Sequence, residues 1–309
     1  METISDLEQH IRDFINSPRK QYALLQSQAA WNMLCSCLDL IGDTGLALDA
    51  YVKHEEAENY GGKYLLIYGV LQALFLQQDA VENLCEALKL DYTPDPLLNE
   101  IREIRNDSTG HPTKRGGGQG RTFNFISRIS LSKVGFDLMK TYPEDRTPFF
   151  QHVSIPSLVA RQREILQRTL SAVVDKLQNE DTEHREQFRA EKLQNLFLST
   201  GYYFQKMLEA IRGGPAVFGT AHIKLIAEII DAFKSALTKR GELEACDTVT
   251  YFLNLLEYPM GELTTYFNSP DQPRLNEKSA CIFVFFVEKH VDELRRIARE
   301  MDEIYESKP

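Results

Sequence analysis

The sequence predicts a mainly α-helical protein: an N-terminal helical bundle carrying an inserted β-hairpin, followed by a second helical domain. Three observations lead there. Most of the chain repeats apolar residues every three or four positions, the pattern of a helix with one buried face. Residues 122–139 depart from it, with Phe123, Phe125, Ile129 and Leu131 in two short alternating runs that suit a hairpin. Residues 142–156 hold three prolines among turn-forming residues, where a boundary belongs. The expected division is residues 1–142 (core about 20–142), a linker at 143–156, and a helical interaction or regulatory domain at 157–309.

Taken in order, residues 4–15 have helical spacing, and Ser17–Pro18 ends that element. In 21–41, Leu24, Leu25, Trp31, Leu34, Leu38 and Ile41 form a helical stripe. Gly42 and Gly45 predict a break, 46–57 a further short helix, and Gly61–Gly62 a junction. A long helix is expected over 63–88 from Ile67, Leu71, Leu74, Val81, Leu84 and Leu88. Its polar side carries Gln72 and Asp79, seven residues apart and therefore nearly two turns along one face, facing a site or a partner helix. Pro96 suits the first turn of the next helix, whose apolar face is Leu97, Leu98, Ile101 and Ile104 and which ends near Arg105. In the second half, helices are expected at 157–177, 185–211, 221–238, 242–256 and 277–304. Glycines at 213–219 mark a break, and 258–273 reads as irregular.

The chain has 309 residues, 43% of them hydrophobic, enough for a sizeable core and two domains. Its apolar windows at 65–76 and 282–287 are too short to span a bilayer, and its first thirty residues lack the apolar core of a secretory signal. Five sparse cysteines, Cys35, Cys37, Cys85, Cys246 and Cys281, read as reduced thiols of a cytoplasmic protein. They have no histidines at ligand spacing, and His152, His184, His222 and His290 are dispersed, so neither metal nor cofactor is expected. The net charge of −10 opposes broad non-specific binding of nucleic acid. Residues 101–128 reverse that sign: six Arg or Lys against two Asp or Glu, a formal +4.

Within that basic stretch runs Arg105-Asn106-Asp107-Ser108-Thr109-Gly110-His111. An arginine, a polar residue and a histidine follow two long expected helices. In this motif and its placement, residues 20–142 resemble the HEPN family of helical domains. The resemblance implies a metal-independent endoribonuclease of toxin or antiviral defence systems. It implies attack by the ribose 2′-hydroxyl on the adjacent phosphate, giving 2′,3′-cyclic phosphate and 5′-hydroxyl ends. It also implies a homodimer, because family members pair two such motifs across a cleft and this chain shows one.

The chemistry of the residues fits that expectation. The imidazole of His111 can accept the hydroxyl proton or donate one to the leaving oxygen. Arg105 can hold phosphate oxygens and oppose charge that grows in the transition state. Asn106 can orient phosphate or His111. Lys114, Arg115 and Arg121 flank glycines and suit contact with an RNA backbone, with Gln72 and Asp79 in support. Glu103 and Asp107 are nearby acids that offer Arg105 a purely structural pairing instead. The expected partners are RNA, a second copy of the chain and a regulatory protein. The alternative is a non-catalytic helical adaptor that binds protein or RNA. A nucleotide-binding or transfer protein is a third reading, for which no GxxxxGK[ST] motif is present.

Overall fold

The computed structural model describes residues 2–116, 121–144, 147–268 and 275–307. The protein is mainly helical, 74% of it, with a small antiparallel β-sheet inserted between helical stretches. The chain forms two compact units. The first comprises residues 1–16 and 24–177, the second 17–23 and 178–309.

In the first unit, α1 (Ile4–Ile15) is fixed by a capping box, in which Thr3 and Asp6 exchange hydrogen bonds at 3.1 and 2.9 Å. α2 (Pro18–Leu25) belongs through Ala23 to the second unit; back in the first, α3 (Gln28–Lys53) runs without interruption through Gly42 and Gly45. The break expected there and the separate helix at 46–57 are corrected. The buried stripe Leu34, Leu38, Ile41, Leu48 and Tyr51 keeps helical phase across both glycines, and its burial outweighs their roughly 1 kcal/mol propensity penalty each. α4 (Tyr60–Ala87) starts earlier than expected, because Asn59 caps it by accepting from Gly62 N–H at 2.9 Å. Gly61 and Gly62 thus form its first turn. α3 and α4 pack along their length, and α5 (Pro96–Arg105) lies against α4.

The hairpin is a three-stranded antiparallel sheet: β1 (Phe123–Ile126), β2 (Gly135–Thr141) and β3 (Phe149–Ser154). Ile129 and Leu131 lie in the connection between β1 and β2. Strand alternation turns Phe136 and Leu138 into the core, opposite Val153 and Ile126 respectively. β3 lies within the stretch expected to be a linker. α6 (Ile155–Phe188) begins directly after it, so the expected boundary at 143–156 is not where the units divide. Val153 and Ile155 are buried in the core, which holds this segment despite its prolines.

The second unit contains the end of α6, a 3₁₀ turn (Leu193–Phe197), α7 (Thr200–Ile211), α8 (Ala216–Arg240), α9 (Asp247–Asn268) and α10 (Glu277–Glu306). The expected helix at 185–211 is two pieces. The interruption is stabilised by the buried Asp302 carboxylate, which accepts from the Leu193 and Gln194 N–H groups at 3.0 Å each. α9 continues through Pro259, where an irregular segment was expected, because Leu256, Leu263 and Phe267 continue its buried face. No helix among the described residues is long and apolar enough to cross a membrane.

Two glycines show opposite pressures. A Cβ on Gly219 would lie 2.0 Å from the Phe267 ring, whereas one on Gly45 would meet nothing within 4 Å. Thermal or chemical unfolding should therefore show Gly219→Ala destabilised by about 1–3 kcal/mol. Gly45→Ala should be stabilised by about 0.5–1 kcal/mol.

Candidate functional site

α5 starts at a proline capped by Asp95, whose carboxylate accepts from Leu97 N–H at 2.9 Å. Leu98, Ile101 and Ile104 bury one side of the helix. Its last turn carries Arg102 and Arg105, cations that complement the helix dipole. The helix then widens into a π-helical turn, Asn106–Gly110, closed by His111 N–H donating to the Asn106 carbonyl at 2.8 Å. Single π turns are frequent at functional sites. This one puts Asp107 and Ser108 inside the protein and delivers His111 to the surface.

Arg105 is held by neutral groups. Its Nε and Nη2 donate to Gln72 Oε1 on α4 at 3.2 and 2.7 Å, and Nη1 donates to Asn106 Oδ1 at 3.0 Å. The guanidinium carbon lies 4.3 Å from the centre of the Phe75 ring. Gly110 closes the other side: a Cβ there would come within 2.8 Å of Nη1. Neither Glu103 nor Asp107 pairs with Arg105, and no carboxylate among the described residues lies within ion-pair distance of it. The His111 ring is exposed and has no hydrogen-bond partner among the described residues.

Asp107 is the anchor of the turn. It is 4% exposed and pairs with Arg115, with Lys140 at 2.5 Å, and with the Asn124 amide at 3.5 Å. Lys140 and Asn124 are opposite each other in the β1–β2 register. The chain leaving His111 joins the same sheet edge: Asn124 N–H donates to the Pro112 carbonyl at 2.8 Å, and Arg115 and Thr122 exchange backbone bonds at 3.0 and 2.9 Å.

The other expected site residues divide. Gln72 and Asn106 are in place around Arg105. Asp79 pairs instead with Arg102 at 2.6 Å, beside Glu82 at 3.2 Å. Arg115 is engaged by Asp107 and Glu103; burial lowers its pKa, but the bonds to these two acids outweigh that and raise it. Lys114 is exposed and has no hydrogen-bond or ion-pair partner among the described residues. Arg121 is half-buried, with an Nε that has no hydrogen-bond partner among them. The glycines at 117, 118 and 120 lie outside the described residues. Phe75, Gly110, Asn124 and Lys140 were not anticipated. The three-residue spacing of Gln72 and Phe75 on one helix was the available signal for Phe75; the other three depend on the turn and the strand register.

Comparison with family models, curated proteins and solved structures returns no match. The site must therefore be understood from its own geometry. A cavity of about 350 Å³ opens beside the Asp107 clamp, with Glu103, Lys140 and His152 in its wall, but neither Arg105 nor His111 lines it. His152 is bound to Asp137 at 2.8 Å. Among the described residues no group of three or more His, Cys, Asp or Glu side chains is arranged to hold a metal.

Removing the Asp107 charge leaves Arg115 and Lys140 facing each other without their shared counter-ion. The two cations keep about a fifth of their side-chain surface in water (23% and 19%). Asp107→Asn should accordingly lower unfolding free energy by about 2–3 kcal/mol, less than the roughly 3–5 kcal/mol typical of breaking a fully buried pair. Denaturant unfolding measures it.

Proposed function

We propose that this protein is a metal-independent endoribonuclease acting through Arg105 and His111. The observation that carries the proposal is an arginine fixed on three sides by neutral groups. A guanidinium paired with a carboxylate is already neutralised. Arg105 is oriented by Gln72, Asn106 and Phe75 and retains its charge for an anion. One π turn away stands an exposed imidazole.

In this reading Arg105 binds non-bridging oxygens of the scissile phosphate and opposes the charge of the pentacoordinate transition state. His111 takes the proton of the ribose 2′-hydroxyl as that oxygen attacks phosphorus. The P–O5′ bond breaks, the 5′-oxygen receives a proton, and the products are a 2′,3′-cyclic phosphate and a 5′-hydroxyl. Asn106 positions Arg105. Lys114 supplies a free cation for the RNA backbone, and Arg115 acts with Asp107 in holding the turn.

A homodimer is part of the proposal. Leu65 and Tyr68 on α4 are exposed at 75% and 45%, and Gln72 and Phe75 continue the same line toward Arg105. The spacing 65, 68, 72, 75 is that of a helix–helix seam. An isologous pairing through this face brings the Arg105 regions of two copies toward one axis.

With a metal chelator present, wild-type protein should cut single-stranded RNA and leave cyclic-phosphate ends. His111→Ala should lose about 10²–10⁴-fold in rate with unchanged melting, and Arg105→Ala at least about 10²-fold in a protein that still folds but melts somewhat lower. Equal cleavage by all three proteins would reject the assignment. Leu65→Glu should give a folded monomer in analytical ultracentrifugation with greatly reduced cleavage; a fully active monomer would remove the dimer from the mechanism.

A further inference from the structure

The second unit contains a cavity of about 220 Å³ that the proposed cleavage chemistry does not use. Its polar wall is built from His184, Glu242 and Tyr305, its apolar wall from Pro18, Met301 and Ile304. Asp181 and Arg185, paired at 2.7 Å and each about a quarter exposed, also border it and reach solvent.

Apart from Arg19 and Arg185, which pair with Asp181, the polar wall holds two acceptors without a close donor among the described residues. The Tyr305 hydroxyl donates to Glu242 Oε1 at 2.7 Å. Glu242 Oε2 is buried and has no hydrogen-bond partner among the described residues, and burial raises the Glu242 pKa. His184 Nε2–H donates to the Arg240 carbonyl at 3.0 Å, which leaves Nδ1 as an acceptor. Among the described residues the hydrogen-bonding group at Nδ1 is the Tyr305 oxygen at 3.4 Å, whose proton is already directed to Glu242. Burial, reinforced by the nearby charge of Arg19, lowers the His184 pKa, so the imidazole is neutral at neutral pH and Nδ1 keeps its lone pair. An unmatched buried acceptor is costly, so the site favours a ligand that brings N–H donors.

The remaining constraints narrow the class. The lining arginines Arg19 and Arg185 are balanced by Asp181 and Glu242, so a strongly charged occupant gains little. The volume is below the roughly 300–1,000 Å³ usual for drug-sized ligands and suits one or two fused rings. The apolar wall suits a flat face.

We propose that this cavity binds a planar, uncharged heterocycle presenting two adjacent N–H donors, the guanine type of edge, to Glu242 and His184. The base sits inside and any sugar attached to it remains at the mouth near Asp181 and Arg185. The proposal is independent of RNA cleavage by Arg105 and His111.

Cys246 lies in the cavity wall and reports occupancy. Iodoacetamide labelling of the full-length protein, followed by peptide mass spectrometry, gives its alkylation rate. Cys37 and Cys85, whose thiols burial pushes up to about 11, serve as slow internal references. Guanosine should slow labelling of Cys246 several-fold. Inosine, which lacks the amino donor, should protect about tenfold more weakly, the effect of losing one buried hydrogen bond. E242Q, which turns one acceptor into a donor, should weaken guanosine protection to a similar degree. A short guanosine-containing RNA tested in parallel separates a free nucleoside from an RNA end as the source, and protection by either supports the site. No protection by guanosine or the RNA, or equal protection by inosine, overturns the proposal. The guanosine–inosine comparison uses wild-type protein alone and so decides the matter even if E242Q does not fold.

Discussion

The buried carboxylate of Asp107 is where helix, turn and sheet of the first unit meet. It sits in the π turn that ends α5 and accepts from Arg115 beyond His111, from Lys140 on β2 and from Asn124 on β1. One anion thus joins three chain segments separated by eight to thirty-three positions. Burying it is unfavourable unless charged and polar donors surround it, so the turn, the strand register and the return of the chain at Arg115 have to be correct together. The inserted sheet acquires its purpose from this constraint. Its inner face completes the core with Phe136 and Leu138, and two strand positions further along the same face provides Lys140.

α4 performs the complementary task for Arg105. The helix buries Ile67, Leu71, Leu74, Val81 and Leu84, while Gln72 and Phe75 on another side fix the guanidinium. A further polar layer secures α4 to α6. Gln78 donates to Gln162 at 2.6 Å, and Gln162 donates to Gln77 and to the Leu74 carbonyl at 3.1 and 3.0 Å. Arg102 Nε donates to Gln78 Oε1 at 2.9 Å and so connects this layer to α5. Such bonds are directional, whereas apolar packing alone tolerates sliding by a turn. The rotation and height of α5 against α4, and with them the position of Arg105, depend on this network.

Helices were legible where an apolar stripe kept its period, as in residues 4–15 and along α4 and α10. The errors arose where a local signal competed with a long-range one. Gly42, Gly45 and Pro259 are helix breakers in isolation, yet each lies in a helix whose buried stripe continues on both sides. The opposite error occurred at 188–200, where helical spacing concealed an interruption stabilised by Asp302, more than a hundred residues away. In the candidate site, Arg105, Asn106 and Gln72 could be named from type and spacing, and their side chains are hydrogen-bonded to one another through Arg105. Asp79 shares a helix face with Gln72 but pairs with Arg102, because α5 presents its two arginines to successive turns of α4. The partnership of Asp107 with Lys140 and Asn124 required a strand register that sequence alone does not specify.

The contrast among the arginines bears directly on function. Arg102 faces Asp79 and Glu82, Arg115 faces Asp107 and Glu103, and Arg161 faces Glu100. In a chain of net charge −10, acids are abundant partners for cations. Arg105 stands among these pairs yet is anchored through amide oxygens and an aromatic face. A carboxylate in place of Gln72 would hold the guanidinium more tightly and neutralise it; the amide gives up binding strength and preserves the charge. At physiological ionic strength screening acts over about 8 Å, so the acidic surface elsewhere would weakly affect the phosphate of the proposed substrate. In the proposed reaction, recognition rests on one fixed cation and one exposed imidazole, while the ion pairs of Arg102, Arg115 and Arg161 hold the scaffold.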